Sequence, residues 1–385
     1  MSRDFLDQQE ATETQSVAII GTRGYPSYYG GFETAVRKLA PYLCDSGWDV
    51  TVYGRPGAVK ENDPSHDRRV TVVKTRGIKS KSLSTLSYGL TSVLSALVRK
   101  PDVVLVMNVA NGYWLPLLRL RNIPTVVNVD GMEWERAKWG KLARAVFKIG
   151  AKLTARFGTT LITDAREIQR RWREDFGRNS IFIPYGGETP QDLPLEDGLT
   201  HRGYVLLVAR FVPENTVAEF FKAVEAIAID HPVVLVGATG YGGELDDKAA
   251  ALASTFSNVR WLGHVKDDDR LFSLFQHAGA YFHGHSVGGT NPALVQAMAC
   301  GAPIVARDTV YNREVLADTA LFCSPDPHSI VQSVHHLMND KDGGTVLGDR
   351  AKVRAEEDYS WRDVCRSYDS ALEQTLSTVL SVSDR

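Results

Sequence analysis

Short apolar runs recur along the whole chain, and each is followed by a stretch of helical period. Ser16–Ile20 leads into a segment with Phe32, Ala35, Val36, Leu39, Ala40 and Leu43 on one helical face. Pro41 lies inside that segment, where a missing N–H predicts a bend. Gly47 ends it, and Trp48–Tyr53 reads as the next strand. Further strands are expected at Val70–Val73, Val103–Met107, Pro124–Val129, Thr160–Thr163 and Ile181–Pro184. Runs this short, alternating with helices, indicate a buried parallel sheet layered by helices. A stretch rich in Gly, Pro and acid follows, from Gly186 to Gly203. A second series then begins: Tyr204–Arg210, Pro232–Gly237, Val259–Gly263, Ala280–Gly284, Pro303–Arg307 and Ala320–Cys323. The 385 residues suffice for two such domains. The expected division is a disordered tail at 1–15, a first α/β domain at 16–186, a linker at 187–202, a second α/β domain at 203–358 and a closing helix at 359–385.

The chain is 43% hydrophobic and 23% charged, an ordinary soluble balance. No apolar run reaches the length of a membrane span, and the first fifteen residues lack a signal-peptide core. Cys44, Cys300, Cys323 and Cys365 are far apart and form no metal spacing, which suits a reduced, cytoplasmic setting. The net charge of -2 hides an asymmetry. Residues 1–190 hold 28 Lys and Arg against 19 Asp and Glu, and the remainder holds 16 against 27. A basic half joined to an acidic half suggests that the basic half faces an anionic surface.

The basic residues are densest at 136–156: Arg136, Lys138, Lys141, Arg144, Lys148, Lys152 and Arg156. Leu142, Val146, Ile149, Leu153 and Phe157 recur between them at helical spacing. This predicts a cationic amphipathic helix whose apolar side packs on its sheet. The one-signed polar side suits an anionic lipid surface, at ~1 kcal/mol per basic residue near the headgroups. That would place the protein at the inner face of the plasma membrane. No recognition motif and no aromatic interleaving favours nucleic acid.

Two glycine-rich loops carry the ligand chemistry. Near the start, Gly21-Thr22-Arg23-Gly24 runs on to Gly30-Gly31-Phe32-Glu33-Thr34. This is not the G-x-G-x-x-G of a dinucleotide fold, and the second strand ends Tyr53-Gly54-Arg55 with no acid for a ribose. NAD is therefore not expected. Glu33 also suits the positive end of a helix dipole. In the second half, Gly288-Gly289-Thr290-Asn291 precedes Pro292 and the helical run Ala293–Ala299. A cap residue, a proline at the first helical position and glycines upstream fit a phosphate on the helix N-terminus, the plainer alternative being a loop-to-helix junction. Asp130 and Glu133 stand just past the end of a strand, where open α/β sheets place ligands. Asp130 is a candidate for a polar group near the reacting centre; Asp before Gly131 is also a common turn. Arg210 ends the first strand of the second series and can hold a phosphate bidentately. Lys266-Asp267-Asp268-Asp269 precedes a helical run and reads as a cap, with no catalytic metal expected. His264, His283 and His285 lack a metal-ligand pattern, though His283 and His285 adjoin the glycine loop.

These strings together resemble the family-4 retaining glycosyltransferases of GT-B fold, and among them a rhamnosyltransferase-like subgroup, from Val17 to about Asp363. The resemblance implies two tandem Rossmann-like domains with the active cleft between them and a final helix, from Trp361, crossing back onto the first domain. The first domain would take a glycan or polyprenyl-linked acceptor, the second a nucleotide diphosphate sugar. The family motif is Glu, seven residues, Glu, then Ala-Met-Ala-x-Gly. Ala297-Met298-Ala299-Cys300-Gly301 fixes the register and puts Gly288 and Gln296 where the carboxylates belong. The first of those carboxylates contacts the donor sugar and the second the ribose hydroxyls. Gly30, Gly31 and Glu33 would lie against the diphosphate. Arg210 would grip it, with Asn215 standing at the usual Lys. His285 is a cleft residue in this reading. The implied reaction proceeds with retention, the leaving diphosphate helping to deprotonate the acceptor, so no paired catalytic carboxylates are called for. Arg210, Gly30, Gly31 and the helix start at Thr290–Asn291 would stabilise the developing charge. An amide at Gln296 offers one acceptor oxygen where a carboxylate offers two, which fits a deoxyribose and hence a dTDP-sugar such as dTDP-rhamnose. An NDP-sugar 2-epimerase, a catalytically silent sugar-nucleotide-binding protein and a regulatory partner-binding protein share the architecture.

Overall fold

The computed structural model describes residues 14–28, 30–58, 63–78, 84–136, 139–240 and 242–383. Most of the expected tail, and Lys138, lie outside the described residues.

The first half is a seven-stranded parallel sheet. Its strands are β1 (Ser16–Ile20), β2 (Asp49–Gly54), β3 (Thr71–Lys74), β4 (Val103–Met107), β5 (Thr125–Asn128), β6 (Thr160–Thr163) and β7 (Ile181–Phe182), in the order β3-β2-β1-β4-β5-β6-β7. Val17 pairs with Val50 on one side and Val103 on the other, so the strand order reverses between β1 and β4. A crevice opens at such a reversal, beyond the C-terminal ends of the strands. Helix α1 (Gly31–Asp45) covers one face of this sheet. The other face carries α2 (Ser84–Arg99), α3 (Leu115–Leu120), α4 (Lys141–Phe157) and α5 (Arg166–Phe176). Helix α1 runs through Pro41 as one element, and its buried face includes Val36, Leu39, Ala40 and Leu43.

The second half repeats the plan with six strands: β8 (Val205–Val208), β9 (Val233–Val236), β10 (Val259–Gly263), β11 (Ala280–His283), β12 (Ile304–Arg307) and β13 (Leu321–Cys323). Their order is β10-β9-β8-β11-β12-β13, all parallel, with the reversal between β8 and β11. Helices α6 (Val217–Asp230), α7 (Glu244–Thr255), α8 (Asp268–His277), α9 (Pro292–Ala299), α10 (Val310–Leu316), α11 (Pro327–Asn339) and α12 (Lys341–Asp358) layer it. The last helix, α13 (Trp361–Ser383), leaves this domain and joins the first core through Val364, Cys365, Tyr368, Ala371 and Leu372. The two halves are thus bound by a returning helix as well as by the linker, and the reversal points of the two sheets contribute to one cleft.

Two expectations for the basic segment need correction. Its helix begins at Lys141, so Arg136 lies upstream of it and turns into the cleft. Its buried residues are Gly150, Ala151 and Thr154; of the expected stripe Leu142 and Ile149 are exposed, Val146 and Leu153 are half-buried, and Phe157 packs against the core. Small side chains at those three positions let the helix backbone sit close to the turn after β4, and Leu142 and Ile149 are left outside. A Cβ on Gly112 of that turn would overlap the Gly150 carbonyl.

Candidate functional site

The two glycine loops meet across the cleft. A Cβ built on Gly31 would lie 3.1 Å from Cγ of Pro292, and one on Gly131 would lie 3.2 Å from Cα of Gly288. A Cβ on Gly289 would overlap the Asp164 carboxylate. Gly288 has φ +107°, a conformation that an L side chain resists. Glycine at these positions therefore permits backbone of one domain to touch the other.

The first loop is braced within its own domain. Gly30 caps α1 without a side chain, and the buried Glu33 carboxylate accepts a hydrogen bond from the Arg23 amide at 3.1 Å. The second loop is braced from outside. The Thr290 amide donates to the Asp164 carbonyl at 3.1 Å, and the Thr290 hydroxyl donates to the same oxygen. The Asn291 side chain accepts from the Ala293 amide at 3.0 Å and caps α9. The polar side chains of Thr290 and Asn291 thus serve the domain contact and the cap. The amides of Gly288 and Gly289 donate to no described residue and remain available to an anion.

Asn215 and Gln296 also have structural partners. The Asn215 side-chain amide donates to the Arg210 carbonyl at 2.8 Å and is buried, so it shapes the loop carrying Arg210. The Gln296 carbonyl accepts from the Glu188 amide at 3.1 Å, and its NH2 donates to the Glu188 carbonyl at 2.7 Å. Both ends of that amide hold the linker at Glu188. Arg210 differs: its side chain is exposed and makes no ion pair with a described residue.

The first domain contributes a charged cluster that the sequence reading largely missed. Asp130 sits at φ +57°, a strained position for a residue with a Cβ. Its amide is fixed by the Asn128 side chain at 2.9 Å, and Asn128 in turn donates to the Tyr368 hydroxyl at 2.6 Å. The returning helix α13 therefore props the turn that presents Asp130. Arg136 pairs with Glu133 at 2.5 Å, and Trp139 donates to the other Glu133 oxygen at 2.9 Å. Burial alone would lower the Arg136 pKa, but Asp130, Glu133, Glu214 and Asp164 outweigh it, and the guanidinium is held charged. Asp164 is buried, and its Oδ1 has no hydrogen-bond partner among the described residues. Burial, then the neighbouring charge of Asp130, raises its pKa well above the carboxylate range, which favours the protonated acid.

From the second domain, His283 and His285 stack with ring centroids 4.4 Å apart. His283 Nδ1 shares a hydrogen bond of 2.9 Å with the Tyr281 hydroxyl. Burial, with Arg210 and Arg136 adding repulsion, pulls the His285 pKa down to about 3, so the ring is neutral at physiological pH. Both arginines thus approach the same ring from opposite domains. Glu214 is buried and anchors the glycine loop through its carbonyl, which accepts from the Ser286 amide at 2.9 Å. Glu314 on α10 reaches the other domain, where its carboxylate accepts from the Arg166 amide at 2.7 Å. Helix α5 has Ala165 at its cap position and no side-chain cap of its own, so Glu314 supplies one.

Asp164 carries the same signal as Asp130, an acid just past a strand end. Arg136 was hidden because it was counted into the helix. Glu314 becomes informative only once the domains are docked. Asp267 caps α8 through the Arg270 amide at 3.2 Å, and Asp268 pairs with Arg37 across the cleft at 3.0 Å. Among the described residues no group of three or more His, Cys, Asp or Glu could hold a metal ion.

With this geometry in place, the comparisons are consistent. Residues 198–354 match the family described as "Glycosyl transferases group 1", and residues 14–188 match "Domain of unknown function (DUF1972)". Phosphatidyl-myo-inositol mannosyltransferase of Mycolicibacterium smegmatis is 34% identical over 161 residues, 40% of each chain. O-antigen chain mannosyltransferase B of Escherichia coli is 24% identical over 173 residues, 43% of this chain and 44% of that one. The matched stretch thus spans less than half the length of these curated relatives. Sucrose-phosphate synthase from Thermosynechococcus elongatus superposes with a TM-score of 0.78 at 17% identity, covering 94% of this chain and 100% of that one. The Anabaena HepE protein in complex with UDP and glucose superposes with a TM-score of 0.74 at 15% identity, covering 94% and 99%. The architecture is the two-domain GT-B fold. On that frame residues 198–354 are the part of the chain that is similar to the group 1 glycosyltransferases.

Proposed function

We propose that the protein transfers a sugar from a nucleotide diphosphate sugar to a hydroxyl of a glycan or polyprenyl-linked acceptor. The observation that carries this is the exposed Arg210 beside a glycine loop with open amides, facing an acid-lined first domain across one cleft. A guanidinium and main-chain amides are what a departing diphosphate needs, because both stabilise negative charge that grows as the sugar leaves. In this reading no metal is required, and transfer persists in a chelator. The relatives that are named for mannosyl transfer, and the neighbour holding UDP and glucose, support the donor class.

The acceptor side is the first domain. A small cleft lies past the ends of β1, β2 and β3, lined among others by Thr22, Tyr53, Arg55, Thr75, Tyr88 and Ser92. The Tyr53 hydroxyl there is buried with no partner among the described residues, and can bond an acceptor hydroxyl. An anionic membrane surface on the basic helix would bring a polyprenyl-linked acceptor to it. No carboxylate stands at the ribose position, so a 2′-hydroxyl is not demanded, and dTDP-rhamnose is our preferred donor. Retention of configuration belongs to the same reading.

The test is a panel of UDP-, GDP- and dTDP-sugars, each with and without a mixture of glycan acceptors. Transfer that is lost in Arg210→Ala supports the proposal. A donor isomerised without any acceptor would instead identify an epimerase, and binding without turnover a silent protein. Titration calorimetry of dTDP against UDP tests the nucleotide; a clear preference for UDP removes the dTDP assignment.

A further inference from the structure

Helices α2, α3 and α4 lie side by side on the outer face of the first sheet. Together they contain no Asp or Glu. Arg99, Arg119, Lys141, Lys148, Lys152 and Arg156 are exposed on them. Large apolar side chains are exposed among these cations: Val98 is 82% accessible, Leu120 80% and Leu142 81%, with Leu94 and Ile149 near half. Lys141, Leu142, Ala145, Lys148, Ile149, Lys152 and Arg156 fall on one outward strip of α4, because steps of three, four and seven return to the same side of a helix.

This is not a helix that failed to bury its core face. Gly150, Ala151 and Thr154 form the buried seam of α4, and a Cβ at Gly150 would lie 2.7 Å from the Val109 carbonyl. The Tyr113 hydroxyl locks the pair by donating to the Val146 carbonyl at 2.9 Å. The apolar strip is therefore held outward by close backbone packing beneath it. An exposed apolar surface of this size on a folded domain marks an interaction site.

We infer that the α2–α3–α4 face docks on a bilayer surface bearing anionic headgroups. The interleaved leucine, isoleucine and valine side chains enter the headgroup boundary while the basic groups pair with phosphate around them. Charge selects this occupant over a second copy of the chain: a homophilic contact would set cations against cations with no acid on either helix set. The face begins at Lys141, five residues after the cleft residue Arg136, so docking brings the cleft close to the lipid headgroups. The inference extends the lipid-linked acceptor reading above, on which its biological sense rests, but its test measures binding alone.

Full-length protein is sedimented with vesicles of phosphatidylglycerol in phosphatidylcholine and with vesicles of phosphatidylcholine only. Binding to the anionic vesicles is expected to be about tenfold stronger or more, and Lys148→Ser with Lys152→Ser should remove about that factor. Leu142→Ser with Ile149→Ser should abolish the binding that survives high salt. Melting temperature and donor hydrolysis, measured alongside, should match the parent in both double variants, since all four side chains are exposed. Equal binding to both vesicle types, or binding unchanged in both variants, overturns the inference. So does a concentration-dependent doubling of mass without vesicles that Leu142→Ser with Ile149→Ser reverses. Transfer activity that persists while vesicle binding fails would leave the proposed function standing and remove only this docking face.

Discussion

The two glycine-rich turns look alike in sequence and are stabilised in opposite ways. The turn after β1 is held by Glu33, a carboxylate of its own domain, through the Arg23 amide. The turn after β11 is held by the Asp164 carbonyl of the other domain, through the Thr290 amide and hydroxyl. One loop is therefore braced within its own domain, whereas the other takes bonds both from its own domain, at the Glu214 carbonyl, and from the Asp164 carbonyl of the other. The difference teaches that a glycine pair before a helix does not by itself report a phosphate site. In the second loop Gly289 gives room for Asp164, and Gly288 supplies the positive φ.

The strongest way to break the comparison is Gly289→Val. Its side chain would collide with the buried Asp164 carboxylate. Transfer should fall roughly 100-fold, an overpacking cost of about 3 kcal/mol expressed at the domain contact. Donor affinity, measured by calorimetry, should fall as well, because the same loop offers its amides to the diphosphate; unchanged donor binding would mean that the loop serves the domain contact alone. Next is Glu33→Ala, which should cost about 2 kcal/mol of stability by freeing the Arg23 amide in a buried loop. Denaturant unfolding would read it, and a loss of donor binding without a loss of stability would show that the carboxylate touches ligand. Thr290→Val keeps the amide and removes the hydroxyl. It should cost about 1 kcal/mol, seen as a roughly fivefold drop in kcat/KM.

The smallest effect is a pH dependence. The Asp164 pKa is raised in the folded protein, so the folded state binds the proton more tightly than the unfolded chain. Its contribution is present below the unfolded pKa of about 3.9 and is lost as pH rises through the folded value. Asp164→Asn should therefore gain thermal stability over the parent as pH increases toward neutrality, with no gain near pH 4. Parallel melting curves with equal differences at both pH values would contradict the burial of that acid.

Much of the architecture was legible. Val103–Met107, Thr160–Thr163 and Val259–Gly263 appear as strands at the expected bounds, and for the first two burial on both faces leaves few alternatives. The site was less legible, for a physical reason. Thr290, Asn215 and Gln296 have the right chemistry for ligands, yet their hydrogen bonds close onto the Asp164 carbonyl, the Arg210 carbonyl and the Glu188 backbone. Those partners lie across the cleft, across a loop and across the linker, and local spacing does not encode them. Arg136 failed for the opposite reason. A basic residue just ahead of a basic helix looks like part of its charge pattern until the turn at Glu133 is seen to redirect it.

The cap that Glu314 lends to α5 has a consequence for any attempt to divide the molecule. Separated at the linker, the amino-terminal fragment would expose the Arg166 amide to solvent and lose the first turn of α5 to fraying. The same fragment would lack Tyr368, and with it the prop beneath Asn128. Each half is thus unfinished alone, and swinging the halves apart uncovers main-chain donors that only water can then satisfy.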